Sequence, residues 1–161
     1  MRNINESNIP AGDTHGYEIL YFGVNLILMF DYRLLFDIKV IKNSDQGSNT
    51  IEALIISRKD VSAWKKGNDS GNKDMRLYYS KSGETINDIF KPSVSDAYAF
   101  ILSNRDTPVN NTSMAKTIEV TLTHTWQQEI TIEEYVIIND QKWSMPAKTF
   151  YVTFIILDYI H

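Results

Sequence analysis

The chain has 161 residues, the size of one ordinary domain, and 43% of them are hydrophobic and 22% charged, which excludes disordered, collagen-like and low-complexity classes. Sixteen Lys and Arg against twenty Asp and Glu leave a net charge of −4, which argues against nucleic-acid binding through a basic surface. There is no cysteine, so a disulfide framework, a thiolate nucleophile and a Cys-ligated metal are all excluded.

In chain order, the first eight residues are polar and carry no apolar stretch, so no signal peptide is visible. The expected location is cytoplasmic by default, or extracellular if a leader has been removed. The apolar runs at 19–30 and 150–160 are each about a dozen residues and are interrupted by Asn25 and Asp158. Both are shorter than the ~20 residues a membrane-spanning helix needs, and they read as buried strands.

Alternation of apolar and polar residues predicts strands over 18–22, 26–30 and 33–42, the last with Leu34, Phe36, Ile38 and Val40 on one face. Further strands are predicted over 50–57, 76–80 and 97–104. Between the first two of these, Asp60 is placed to cap a short helix over 60–66, with Val61 and Trp64 on one side and Gly67 as a left-handed end. This helix is expected to cross one open end of the fold.

The clearest alternation spans 116–127. Ile118, Val120, Leu122, His124 and Trp126 fall on one face, and Thr117, Glu119, Thr121, Thr123 and Thr125 on the other. Strands over 130–138 and 148–159 complete the set, and 130–161 is a candidate added hairpin turning near Asn139-Asp140. Many strands divided by short polar turns, with almost no helix, predict a single all-β domain: an antiparallel β-sandwich of jelly-roll type with one short helix.

Residues 89–126 carry a more specific pattern. Phe90 and Pro92 lead into Tyr98-x-Phe100, the strand ends at Asn104, and after a loop Lys116-x-Ile118-x-Val120 begins the return. This resembles the C-terminal hairpin of the GOLD (Golgi dynamics) domain. The resemblance implies a compact jelly-roll β-sandwich acting as a non-enzymatic protein-binding module, of the kind used in vesicle cargo and adaptor proteins. On this reading Tyr98 and Phe100 fill the gap between sheets, and Lys116 starts a return strand beside them.

Motifs for catalysis or cofactors are not apparent. The glycines of 67–73 lack phosphate-loop spacing, with Asp74 where Ser or Thr is needed. His15, His124 and His161 are scattered, and His124 reads as a hydrogen-bonded histidine beside the core. Asp69 and Asp74 read as an ordinary acidic loop rather than a calcium site. The adjacent Glu133 and Glu134 would face opposite ways on a strand, so they cannot act as an acid–base pair. Asn-x-Ser/Thr triplets at Asn5, Asn68, Asn110 and Asn111 read as chance. No catalytic residue, cofactor or metal ligand is therefore assigned.

The leading expectation is a non-enzymatic protein-binding or assembly module whose partner is another protein or a second copy. The edge strand at 150–160 or the 116–127 strand would serve as the interface. Trp64, Tyr78, Tyr79 and Trp143 are the candidate binding residues of an alternative, a carbohydrate-binding module, if they gather at one end rather than simply closing the sandwich. A self-associating viral or surface structural protein is the third reading.

Overall fold

The computed structural model describes residues 6–9, 17–43, 49–66, 75–104, 116–133, 135–144 and 146–158. The described elements are β1 (Glu6–Ile9), β2 (Tyr17–Val24), β3 (Phe30–Asn43), β4 (Ile51–Ser57), a 3-10 turn (Arg58–Asp60) running into α1 (Val61–Lys65), β5 (Leu77–Gly83) and β6 (Thr85–Phe90). They continue with β7 (Asp96–Ser103), β8 (Lys116–Ile132), β9 (Tyr135–Ile138), β10 (Gln141–Ser144) and β11 (Lys148–Asp158).

Two antiparallel sheets pack face to face. One has the order β1-β8-β3-β6, and the other β2-β7-β4-β5. The pairs are nested: β1 with β8, β2 with β7, β3 with β6, and β4 with β5. β11 pairs with the later part of β8, continuing the first sheet past β1. This is an all-β antiparallel sandwich with one short helix, as the alternation predicts.

The core follows from that alternation. On β3, Tyr32, Leu34, Phe36, Ile38 and Val40 are buried; on β8, Ile118, Val120 and Leu122 are. They meet Ile51, Ala53 and Ile55 of β4 and Tyr98, Phe100 and Leu102 of β7. Each such large side chain removes apolar surface worth ~1.5–3 kcal/mol from water.

The second sheet is buried on its outer face as well. Leu54, Ile56, Ala99 and Ile101 point away from the main core and are covered by Val61 and Trp64 of α1. The helix therefore lies on the outside of the β2-β7-β4-β5 sheet rather than across an open end. Both faces of β4 and β7 needed cover, which their nearly unbroken apolar sequences reflect. Nor does Asp60 cap the helix: its carboxylate accepts the Arg76 amide instead, at 3.0 Å. Gly67 lies outside the described residues.

Other expectations are corrected locally. Residues 26–29 form a turn, not a strand. The Asn25 carbonyl accepts from the amides of Leu28 and Met29, its side chain accepts from Ile27, and the Leu26 amide donates to Ser95. With its backbone groups satisfied this way, the apolar run has no need of a ladder. The predicted strand over 130–138 is two elements, the end of β8 and β9. β9 and β10 form a hairpin turning at Asn139 and Asp140, both at positive φ (49° and 64°), the backbone of a type I′ turn.

β1, β6 and β10 were not predicted from the sequence. Between β5 and β6 the chain changes sheets over one residue, Glu84, and a Cβ on Gly83 would come within 3.2 Å of the Thr85 carbonyl. The return strand after Asn104 is also not beside β7. β7 and β8 lie in opposite sheets, so the expected hairpin is an arch between layers.

Candidate interaction surface

The four candidate aromatic residues do not form one platform. Trp64 is 5% exposed and packs edge-on against Tyr17, centroids 5.1 Å apart, on the outer face of the second sheet. Tyr78 and Tyr79, though adjacent, both pack against the main core, because a bulge where β5 pairs with β4 sets two successive residues there. Trp143 stands on β10 opposite Val136, and only its backbone position is described.

The two tyrosines have structural partners. The Tyr78 hydroxyl donates to Asp96 at 2.9 Å, beside the Ser57 hydroxyl, which donates to the same oxygen at 2.9 Å. Burial alone would raise the Asp96 carboxyl, but these bonds and the Ala97 amide outweigh it and hold it below the usual range. The Tyr79 hydroxyl donates to Asp88 at 3.0 Å, joining β5 to β6 across the two sheets. Lys81 also bonds Asp88, at 3.0 Å, and is the main cause of its lowered pKa.

His124 is buried in the same core, with its Nδ1 hydrogen-bonded to the Tyr32 hydroxyl. Phe22 meets its ring edge-on at 5.5 Å. This is the core-edge histidine expected from the sequence. Around it the rings form a continuous row, from Tyr98 through Phe22, Tyr32 and Trp126 to Phe154 of β11, with centroids 5.2–6.4 Å apart. The row ties β11 to the sandwich, since Phe154 stacks on Trp126.

Beyond Trp126 the character of the surface changes. β8 and β11 continue as a paired ribbon, with Ile130 opposite Phe150 and Gln128 opposite Val152. Farther back, the even-numbered residues of β8 face the core, and in register the even-numbered residues of β11 share that side. Yet Ile130, Ile132, Phe150 and Val152 are 37–48% exposed, and Ile156, beside the sandwich opposite His124, is 47% exposed. On the other side, Tyr151 and Ile155 are each 66% exposed. Ile27, Leu28 and Phe30 adjoin the ribbon, lining with Gln128 and Glu129 a shallow depression of about 230 Å³.

A second depression, of about 240 Å³, lies on the threonine-bearing outer face between Leu35, Asp37, Asn87, Ile89, Thr121 and Thr123. Both are smaller than the ~300 Å³ at which small-molecule pockets usually begin. Among the described residues, no three His, Asp or Glu side chains gather, and no helix is long and apolar enough to cross a membrane. His15, His161, Asp69, Asp74, Glu134, the 67–73 loop, Asn5, Asn68, Asn110 and Asn111 lie outside the described residues.

No protein-family model matches the chain, and no curated protein matches it significantly. Its function is therefore argued from its own surface. The ribbon was foreshadowed in the sequence by the apolar run at 150–160. That the end of β8 shares its exposure was not, because Ile130 and Ile132 alternate with polar residues as they would on any half-buried strand.

Proposed function

We propose that this chain is a non-enzymatic protein-binding or assembly module: a jelly-roll sandwich that holds out an apolar β-ribbon for docking. The observation that carries the reading is the ribbon of β8 and β11, where Ile130, Ile132, Phe150 and Val152 stay exposed on the side that faces the core farther back. Contiguous apolar patches beyond a few hundred Å² are rare on monomers and mark interaction sites. The nested strand pairing supports the jelly-roll description, a fold that serves many capsid and lectin domains. The GOLD-like pattern at 89–126 agrees with a binding role, as an argument by resemblance.

The test replaces Ile130 and Phe150, which stand opposite each other on the exposed apolar side, with serine (Ile130→Ser, Phe150→Ser). The double variant should keep the far-ultraviolet circular dichroism of a β-protein while losing association seen with the unaltered chain in cross-linking and light scattering. Equal association of the two proteins would overturn this reading. The carbohydrate alternative has less support: Trp64 is buried, and the hydroxyls of Tyr78 and Tyr79 are already engaged.

A further inference from the structure

We infer that the turn and helix from Arg58 to Lys66 dock on an anionic lipid bilayer, which the chain meets with the outer face of its second sheet. The inference goes beyond the ribbon reading and stands independently of it. Arg58, Lys59, Lys65 and Lys66 are all exposed, and Asp60 is the one acid among these nine residues. From Arg58 to Arg76 the sequence holds six Lys and Arg against three Asp, a local charge of +3. The rest of the chain therefore carries −7, so an excess of positive charge sits on one segment of an acidic protein.

The fold holds these cations in a raised row. Val61 and Trp64 bury against Leu54, Ile56, Ala99 and Ile101, which seats the helix on the outside of the sheet. Arg58 lies over the Tyr21 ring, 5.0 Å from its centre, and Lys65 over the Tyr17 ring at 5.3 Å. Those tyrosines are four residues apart on β2, so the two contacts are spread along about 13 Å of strand. Glu52 of the same sheet belongs to β4, two strands from β2, where it accepts from Ser80.

Charge complementarity calls for a polyanion, and the shape selects which. A single-stranded nucleic acid is gripped by a groove lined with open aromatic rings. Here the cations stand proud of the sheet, Tyr17 and Tyr21 each carry a cation over the ring, and the two depressions described above lie elsewhere. A flat anionic surface needs neither groove nor stacking, and each Lys or Arg near it strengthens binding about fivefold. The acidic remainder opposes this weakly. The first sheet lies ~10 Å deeper, beyond the ~8 Å screening length at physiological salt.

The experiment is co-sedimentation of the full chain with phosphatidylcholine vesicles, with and without about one-third phosphatidylserine. It compares the unaltered protein, Arg58→Gln with Lys59→Gln, Lys65→Gln with Lys66→Gln, and a control pair on the first-sheet side, Lys39→Gln with Lys91→Gln. Circular dichroism checks the fold of each. The unaltered chain should bind the phosphatidylserine vesicles alone and be released by high salt. Each pair on the turn and helix should weaken binding by about 25-fold, and the control pair by less than about threefold. No binding to the anionic vesicles, equal binding to both kinds, or a control pair as damaging as the others overturns the inference. Tighter binding of a thymidine oligonucleotide than of the vesicles, lost in the same two variants, also overturns it and assigns the surface to nucleic acid. None of these outcomes bears on the ribbon, which the Ile130 and Phe150 variant tests by itself.

Discussion

The ammonium of Lys116 donates to the carbonyl of Thr50 at 2.6 Å, in a site where Lys116 is 1% exposed. The bond joins the start of β8 in one sheet to the residue before β4 in the other, at the end of the sandwich away from the ribbon. A charged group so deeply buried is kept only where it is bonded. Lys116→Met retains the length and apolar stem but removes the donor. It should destabilise the fold by about 1–3 kcal/mol, read as a lower urea midpoint with an unchanged m-value.

Asp96 accepts from Ser57, Tyr78 and the Ala97 amide together. Asp96→Ala would leave the buried Ser57 hydroxyl and the Tyr78 hydroxyl without this acceptor. The expected loss is about 2–3 kcal/mol, larger than that of Tyr78→Phe, which keeps the ring and the Ser57 bond. Thermal unfolding of the two variants side by side checks the order.

In acid, the carboxyls of Asp31, Asp88 and Asp96 are each held below their ordinary value of 3.8: by Arg33 for Asp31, by Lys81 for Asp88, and by the bonds just described for Asp96. A carboxyl whose folded pKa is depressed gives stability that is present above its unfolded pKa and lost as pH falls through the folded one. Stability should therefore decline from about pH 4 downward. Asp88→Asn with Asp96→Asn should flatten that decline, and urea midpoints measured from neutral pH into acid would show it.

In alkali, burial pushes the Tyr98 hydroxyl from 10.0 to about 12, and burial followed by the Asp88 bond raises Tyr79 further. A group with a raised folded pKa stabilises the fold fully below its unfolded pKa, and that stability is lost as pH rises through the folded value. The loss should begin near pH 10 and continue toward 12. Phenolate absorbance would then show Tyr79 and Tyr98 ionising only as the protein unfolds.

Asn139 and Asp140 both hold positive φ at the β9–β10 turn, and glycine meets no Cβ penalty in that conformation. Asp140→Gly should strengthen the hairpin by about 0.5–1 kcal/mol and Asp140→Val weaken it, because a β-branched residue at positive φ is strained. Amide hydrogen exchange across 135–144 reports this local change, where the Lys142 ammonium also lies 3.9 Å from the Tyr135 ring centre.

The period-two pattern of β3 and β8 was legible because each has one face in the core and one in water. β6 was not, because Asn87 and Asp88 are residue types depleted in strands, and Asp88 is satisfied there by Tyr79 and Lys81 from β5. Trp64 could not be assigned to core or surface from the sequence, since burial of Leu54, Ile56, Ala99 and Ile101 on the outer face depends on α1 folding back over β4 and β7. The arch between β7 and β8 was likewise hidden, because adjacency along the chain does not say which sheet a strand joins.

The nested pairing has a consequence for how the protein is made. Glu6 of β1 lies opposite Glu119 of β8, and Tyr17 of β2 opposite Ser103 of β7. At ~5–20 residues per second of synthesis, β1 waits roughly 6–20 s for its partner to be made. Contacts so distant in sequence also slow the final collapse, which for sandwiches of this kind takes milliseconds to seconds. The nascent chain therefore spends its first seconds with β1 to β3 unmatched, and the last strand pairs it makes, those of β8 with β1 and β11, close the sheet from which the ribbon extends.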